Sequence, residues 1–153
     1  SARIARGKVH ELSDAIDMDL DALVLPGGYG VAKNLSEFAF CGAEATVHES
    51  LTQLIKRMHG EKKPIGAICI SPAIIALVLG SSKVEVTIGN CKETAKAIEQ
   101  TGAIHIEAKV EDIHVDEKNL VISTPAYMYD DGPIKSVSQG IEKLVTKVIQ
   151  LIE

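Results

Sequence analysis

The sequence predicts a doubly wound α/β domain, with a mostly parallel sheet, helices on both faces and a small antiparallel hairpin late in the chain. Three patterns in its 153 residues carry this expectation. Short apolar runs stop at glycine or proline, as strands covered on both faces do. Stretches with helical apolar spacing separate those runs. No repeat, low-complexity tract or linker interrupts the alternation, so residues 1–153 read as one domain.

In chain order, Ser1-Ala2-Arg3-Ile4-Ala5-Arg6-Gly7 lacks an initiator methionine and matches neither a secretion signal nor a complete transit peptide. It reads as a helix end or loop, and the chain is expected to be the C-terminal part of a longer chain or a processed product. Residues 21–25 form a short strand stopped by Pro26-Gly27-Gly28, and a glycine-bearing loop, 28–35, follows. From about 45 to 58, Leu51, Leu54, Ile55 and Met58 mark the buried face of a helix. A strand then runs into Cys69. Ser71-Pro72 supplies a capping hydroxyl and a first-turn proline for an apolar helix ended by Gly80. Residues 84–88 are another strand, and 92–100 a polar-faced helix ended by Gly102. Residues 109–115 and 120–124 alternate around Asp116-Glu117-Lys118-Asn119, which predicts an antiparallel hairpin. The last helix opens near Asp131-Gly132-Pro133 and lines up Ile141, Leu144, Val145, Val148, Ile149 and Ile152.

Composition excludes several classes of function. A net charge of −5 without any basic run argues against a nucleic-acid partner, and aromatic residues at 3% leave no base-stacking platform. No apolar segment approaches a membrane span. The cysteines at 41, 69 and 91 have neither CxxC nor zinc spacing, so no metal or cofactor is expected. Reduced thiols fit the cytoplasm, or the mitochondrion in a eukaryote.

Cys69 is the leading candidate for chemistry. It lies between a buried strand and a helix start, where backbone N–H groups and the helix dipole favour a thiolate. The same strand-to-helix turn presents the nucleophile in hydrolase elbows. The plainer alternative is a small cysteine packing the sheet. Pro26-Gly27-Gly28 ends another parallel strand on the same edge, so its backbone approaches a ligand without a Cβ in the way. The amides of Gly28 and Ile70 are candidates for holding an oxyanion. Gly27, Lys33, Asn34 and Tyr127 complete the candidate substrate-binding set, Lys33 by its charge and Asn34 and Tyr127 by hydrogen bonds. Each also reads plainly as a turn or surface residue. His10, His48, His59 and His114 read as surface residues, and His105 as a satisfied, partly buried one.

Strand-Pro-Gly-Gly followed by strand-Gly-x-x-Cys resembles the class I glutamine amidotransferase-like superfamily, which includes the PfpI-type proteins. Within it, Leu25-Pro26-Gly27-Gly28-Tyr29-Gly30-Val31-Ala32-Lys33-Asn34-Leu35-Ser36, Cys69-Ile70-Ser71-Pro72-Ala73 and Thr124-Pro125-Ala126-Tyr127-Met128 resemble the ElbB family, named for enhancing lycopene biosynthesis. The resemblance implies a flavodoxin-like, amidotransferase-like fold and an upstream segment that supplies the first sheet strand. It also implies a link to isoprenoid biosynthesis and a homodimer, with Phe38, Phe40 and Val47 as the candidate apolar face.

Departures from the superfamily narrow the chemistry. The loop after the late strand, 124–128, holds no histidine, and Ile70 stands where PfpI-type proteases place one. Glutaminase and protease activities are therefore not expected. The remaining expectation is a glyoxalase III-type reaction, in which Cys69 adds to a small 2-oxoaldehyde such as glyoxal without glutathione. The alternative is an accessory or redox-sensing protein whose Cys69 is oxidised.

Overall fold

The computed structural model describes residues 6–36 and 38–152, with the backbone alone at Ala39 and Phe40. Its main sheet has four strands: β1 (Leu23–Leu25), β2 (Ile65–Ile68), β6 (Val121–Thr124) and β5 (His114–Asp116), in that spatial order. β1, β2 and β6 are parallel, and β5 runs antiparallel to β6. A separate parallel pair joins β3 (Glu85–Val86) to β4 (Ile104–His105). The α/β class with a mostly parallel sheet is as the sequence predicts.

Hydrophobic pattern explains the layering. All four residues of β2 and of β6 are buried, so each strand needs cover on both faces. On one face lie α2 (Glu49–Gly60) and α3 (Ser71–Leu79). Leu51, Leu54, Ile55 and Met58 all point inward from α2, as their spacing predicts. α5 (Ile134–Gln150) covers the other face, where a Cβ at Gly66 would lie 2.9 Å from Leu144 Cδ2 and 3.2 Å from Val148 Cγ2. Each such buried aliphatic side chain contributes about 1.5–3 kcal/mol.

Three sequence expectations are corrected and one is extended. α2 begins at Glu49 rather than near 45, because Val47 bridges to Ser36 and the His48 N–H donates to the Leu35 carbonyl. The antiparallel hairpin forms as predicted between β5 and β6, and β6 is in addition a central strand parallel to β2, registered from Ile65↔Val121 to Ile68↔Thr124. The hairpin's first arm shrinks to β5, because Val110 and Ile113 pack into the core under α5 from non-strand backbone. Along α5 only part of the apolar stripe is covered: Leu144 and Val148 are buried, while Val145, Ile149 and Ile152 are exposed.

A buried polar staple joins the two sheets. Asp116 Oδ2 accepts from the Glu85 N–H (2.8 Å) and from Asn119 Nδ2 (2.7 Å), and Oδ1 accepts from the Asn119 N–H (3.0 Å). Burial pushes the Asp116 carboxyl up, but these hydrogen bonds outweigh it and hold the group below its ordinary range. His59 and His114 belong to the same region and are half-buried, not surface residues. His59 Nε2 lies 3.0 Å from Asn119 Oδ1, and His114 Nε2 lies 2.9 Å from Glu85 Oε2.

Candidate active site

β2 ends at Ile68, and the chain turns through Cys69 and Ile70 to enter α3. Cys69 makes that turn at φ +63°, in the left-handed region that costs a residue with a Cβ about 1–2 kcal/mol. Its N–H donates to the Thr124 carbonyl (3.0 Å), so strand pairing continues up to the turn. Strain of this kind persists only where neighbours over-determine the conformation, and it concentrates at functional sites.

Gly27 is the neighbour that makes room. A Cβ at Gly27 would lie 2.5 Å from Cys69 Cβ, 2.6 Å from the Ile68 carbonyl oxygen and 3.2 Å from Cys69 Sγ. The end of β1 therefore lies directly against the thiol. Ser71 corrects a further expectation, since Ile70 occupies the cap position and Ser71 is the first helical residue. Fully buried, the Ser71 hydroxyl needs a partner, and Oγ donates to the Pro26 carbonyl (3.2 Å). It ties the two loops together instead of capping the helix.

Gly28 has φ +114°, which the glycine there makes accessible. Gly28 and Ile70 both lie outside helices and strands, and their carbonyls accept from the Val31 and Ala73 N–H groups (3.0 Å each). Among the described residues neither of their own N–H groups donates to a protein acceptor.

The remaining predicted residues come from the loops that follow the same strand ends. Lys33 and Asn34 are exposed on a π-helical turn, Val31–Leu35. Lys33 Nζ stands 6.0 Å from the Tyr29 ring centroid. Tyr127, 61% exposed, projects from the 3-10 turn Ala126–Met128 that follows β6. Among the described residues no hydrogen bond joins Cys69 Sγ to Lys33, Asn34, Tyr127 or any histidine. His105 is satisfied and half-buried as expected: Nε2 accepts from the Ile88 N–H (3.4 Å). Burial pushes its ring below the ordinary 6.5, against the opposing pull of Glu99, Glu107 and a hydrogen bond to the Gly89 backbone.

One further expectation changes. Phe38 is 9% exposed and packs in the core, so it offers no face to a partner, and the Phe40 side chain lies outside the described residues. The candidacy of Cys69 does not rest on its helix start by itself, because Cys91 is the cap residue of α4 (Lys92–Gln100). Glu93, on the first turn of α4, lines a cavity beside Ile70 that sequence reasoning did not single out. Only tertiary packing brings it there. A larger open groove along α5 contains none of the predicted site residues. Among the described residues no cluster of metal-ligating side chains exists and no helix is long and apolar enough to cross a membrane.

A strained cysteine on a strand-to-helix elbow, flanked by a glycine loop at the carboxyl edge of a parallel sheet, defines the amidotransferase-like class of α/β proteins. Residues 8–130 match the DJ-1/PfpI family, and the chain belongs to that family. It is 41% identical to the ES1 protein homolog, mitochondrial, of Rattus norvegicus, over 99% of this chain and 59% of that one. It is equally similar, with the same coverage, to the human glutamine amidotransferase-like class 1 domain-containing protein 3, mitochondrial. The chain thus spans about three-fifths of the length of these curated relatives, which are mitochondrial proteins. The crystal structure of an Ehrlichia chaffeensis isoprenoid biosynthesis protein with an amidotransferase-like domain superposes with a TM-score of 0.84 at 33% identity. That match covers 97% of this chain and 68% of the other.

Proposed function

We propose that the chain carries a glutathione-independent, glyoxalase III-type conversion of a small 2-oxoaldehyde such as glyoxal, with Cys69 as nucleophile. The observation that carries this reading is the left-handed backbone of Cys69, held against Gly27 at the mouth of the sheet. The thiolate adds to one aldehyde carbon, forming a C–S bond and moving the carbonyl electron pair onto oxygen. The N–H groups of Gly28 and Ile70 hold that oxyanion. The proton on that carbon then shifts to the neighbouring carbon through an enediol, leaving a thioester. Water then releases the thiol and glycolate. One carbon is oxidised and its neighbour reduced, so glyoxal plus water balances glycolate and no external oxidant is needed.

Lys33, Asn34 and Tyr127 are assigned to the substrate's oxygens, and Gly27 to the close backbone approach. The link to isoprenoid biosynthesis and membership of the ElbB family extend this reading, with the Ehrlichia chaffeensis neighbour in support. A homodimer is part of the same proposal. A reducing compartment suits the free thiol: the cytoplasm, or the mitochondrion named for the curated relatives.

Purified protein is tested for glycolate formation from glyoxal beside Cys69→Ser, which should form none. Conversion by the serine variant would remove Cys69 from the mechanism. One observation favours a second reading: no acid or base is hydrogen-bonded to Sγ among the described residues. If wild type forms no glycolate while peroxide adds two oxygen atoms at Cys69, the chain is a redox-sensing accessory protein.

A further inference from the structure

Beside the elbow, between the glycine loop and the first turn of α4, lies a cavity of 410 Å³. Ile70 is the wall it shares with the thiol site. Glyoxal, with four heavy atoms, would leave most of this volume empty. The lining is mainly apolar: the buried Phe38, the Ala97 methyl and the face or edge of the exposed Tyr29 ring. Besides the Tyr29 hydroxyl, two polar side chains line it among the described residues, and they differ. Thr94 Oγ1 is already engaged, 3.2 Å from Cys91 Sγ. Among the described residues Glu93, an exposed side chain, has no hydrogen bond or ion pair and is the one charged group in the lining.

We propose that this cavity binds an organic ammonium ion, with an aryl or alkyl body against Phe38, Ala97 and Tyr29 and its N–H donors on the Glu93 carboxylate. A carboxylate beside apolar walls selects that chemistry over a neutral ligand of the same shape. Tyr29 supports it, because aromatic faces attract cations and this ring already has Lys33 Nζ 6.0 Å from its centroid. Lys33 opposes a second positive charge, which keeps the affinity modest and excludes a dication. This binding does not use sulfur and stands apart from the thiol reading.

The test titrates the full chain with benzylammonium and with benzyl alcohol, followed by amide chemical shifts. Benzylammonium should bind saturably, shift the Ile70 and Thr94 amides, and bind about fivefold more tightly than the alcohol, as befits one partly exposed ion pair. Glu93→Gln should bring the two ligands to equal affinity. Ala97→Phe, checked for folding by its melting temperature, should remove both. Cys69→Ser should leave both unchanged, so a failure of the glyoxalase reading leaves this result standing. Equal affinity for the two ligands in wild type, shifts confined to another surface, or Glu93→Gln binding ammonium as well as wild type would each overturn the proposal.

Discussion

Cys69 and Cys91 occupy the same place in two βα connections, yet the protein treats them differently. Each follows a strand, stands at the start of a helix and is half-buried. Cys91 has ordinary extended backbone, φ −69° and ψ 99°, and its sulfur lies 3.2 Å from the Thr94 hydroxyl one helical turn on. Cys69 has φ +63°, and its sulfur faces a glycine where any larger residue would collide. A helix N-terminus is therefore shared by both and distinguishes neither. Backbone strain and glycine clearance do, and both cost stability that packing alone has no reason to spend.

The sharpest way to break this comparison is to exchange the outcome. Cys69→Ser should reduce glyoxal conversion to background, whereas Cys91→Ser should retain it. Equal loss in both variants would show that position in a βα connection, not the elbow, sets reactivity. Alkylation with iodoacetamide should follow the same order, with Cys69 modified before Cys91. The experiment needs a Cys41→Ser background, because Cys41 is exposed and labels on access alone.

Next in size is the clearance itself. In Gly27→Ala the new Cβ meets the Cys69 Cβ and the Ile68 carbonyl at 2.5–2.6 Å, neither of which is the far end of a flexible side chain. Overpacking against backbone should destabilise the domain by about 3 kcal/mol, read from a shift in the urea midpoint at unchanged slope. A neutral effect would mean that the end of β1 moves away from the thiol freely, and the elbow would lose its claim to be pre-organised.

Much of this site was legible in the sequence, and what was not has physical causes. Apolar runs ended by Pro26 or by Cys69-Ile70-Ser71-Pro72 placed two strand ends on one edge, because parallel strands present their carboxyl ends together. Leu51, Leu54, Ile55 and Met58 gave the buried face of α2 correctly, though not its first residue, because a 3.6-residue period leaves little choice of face. The pairing of β6 was not legible: alternation and a turn signal look the same whether a strand pairs only with its hairpin partner or also with β2. Ser71 was misread because its preference for a cap yields to a carbonyl 45 residues away. Glu93 had no local signal at all, since nothing in the sequence of α4 says which loop it faces.

The strain at position 69 can be isolated by comparing two substitutions that both remove sulfur. Cys69→Gly and Cys69→Ala lose nearly the same contacts, but only alanine keeps the left-handed penalty. The glycine variant should be more stable than the alanine variant by about 1 kcal/mol, the reverse of the order in a regular helix or strand. If alanine is the more stable, the native φ is relaxed in solution and the elbow is not strained.

The smallest effect concerns the Cys91 side, because its support titrates and that of Cys69 does not. His105 Nε2 must be unprotonated to accept from the Ile88 N–H, three residues before Cys91. Burial lowers its folded pKa below the ordinary 6.5, so above that value the ring is neutral in both folded and unfolded chains and stability is fully present. As pH falls below 6.5 the unfolded chain takes up a proton that the folded one resists, and stability is lost until the folded pKa is reached. Asp116 acts lower on the scale: its depressed pKa stabilises the fold above about 4 and loses that contribution only in stronger acid. Urea midpoints measured from pH 8 to pH 5 should therefore decline for wild type and flatten for His105→Gln, with Asp116 silent throughout that window. Amide exchange should show Ile88 opening over the same range while the Cys69 amide, bonded to Thr124 in the main sheet, stays protected. Parallel loss of protection at both amides would mean that the two βα connections open as one unit, and that the difference between the two cysteines is confined to their own backbone angles.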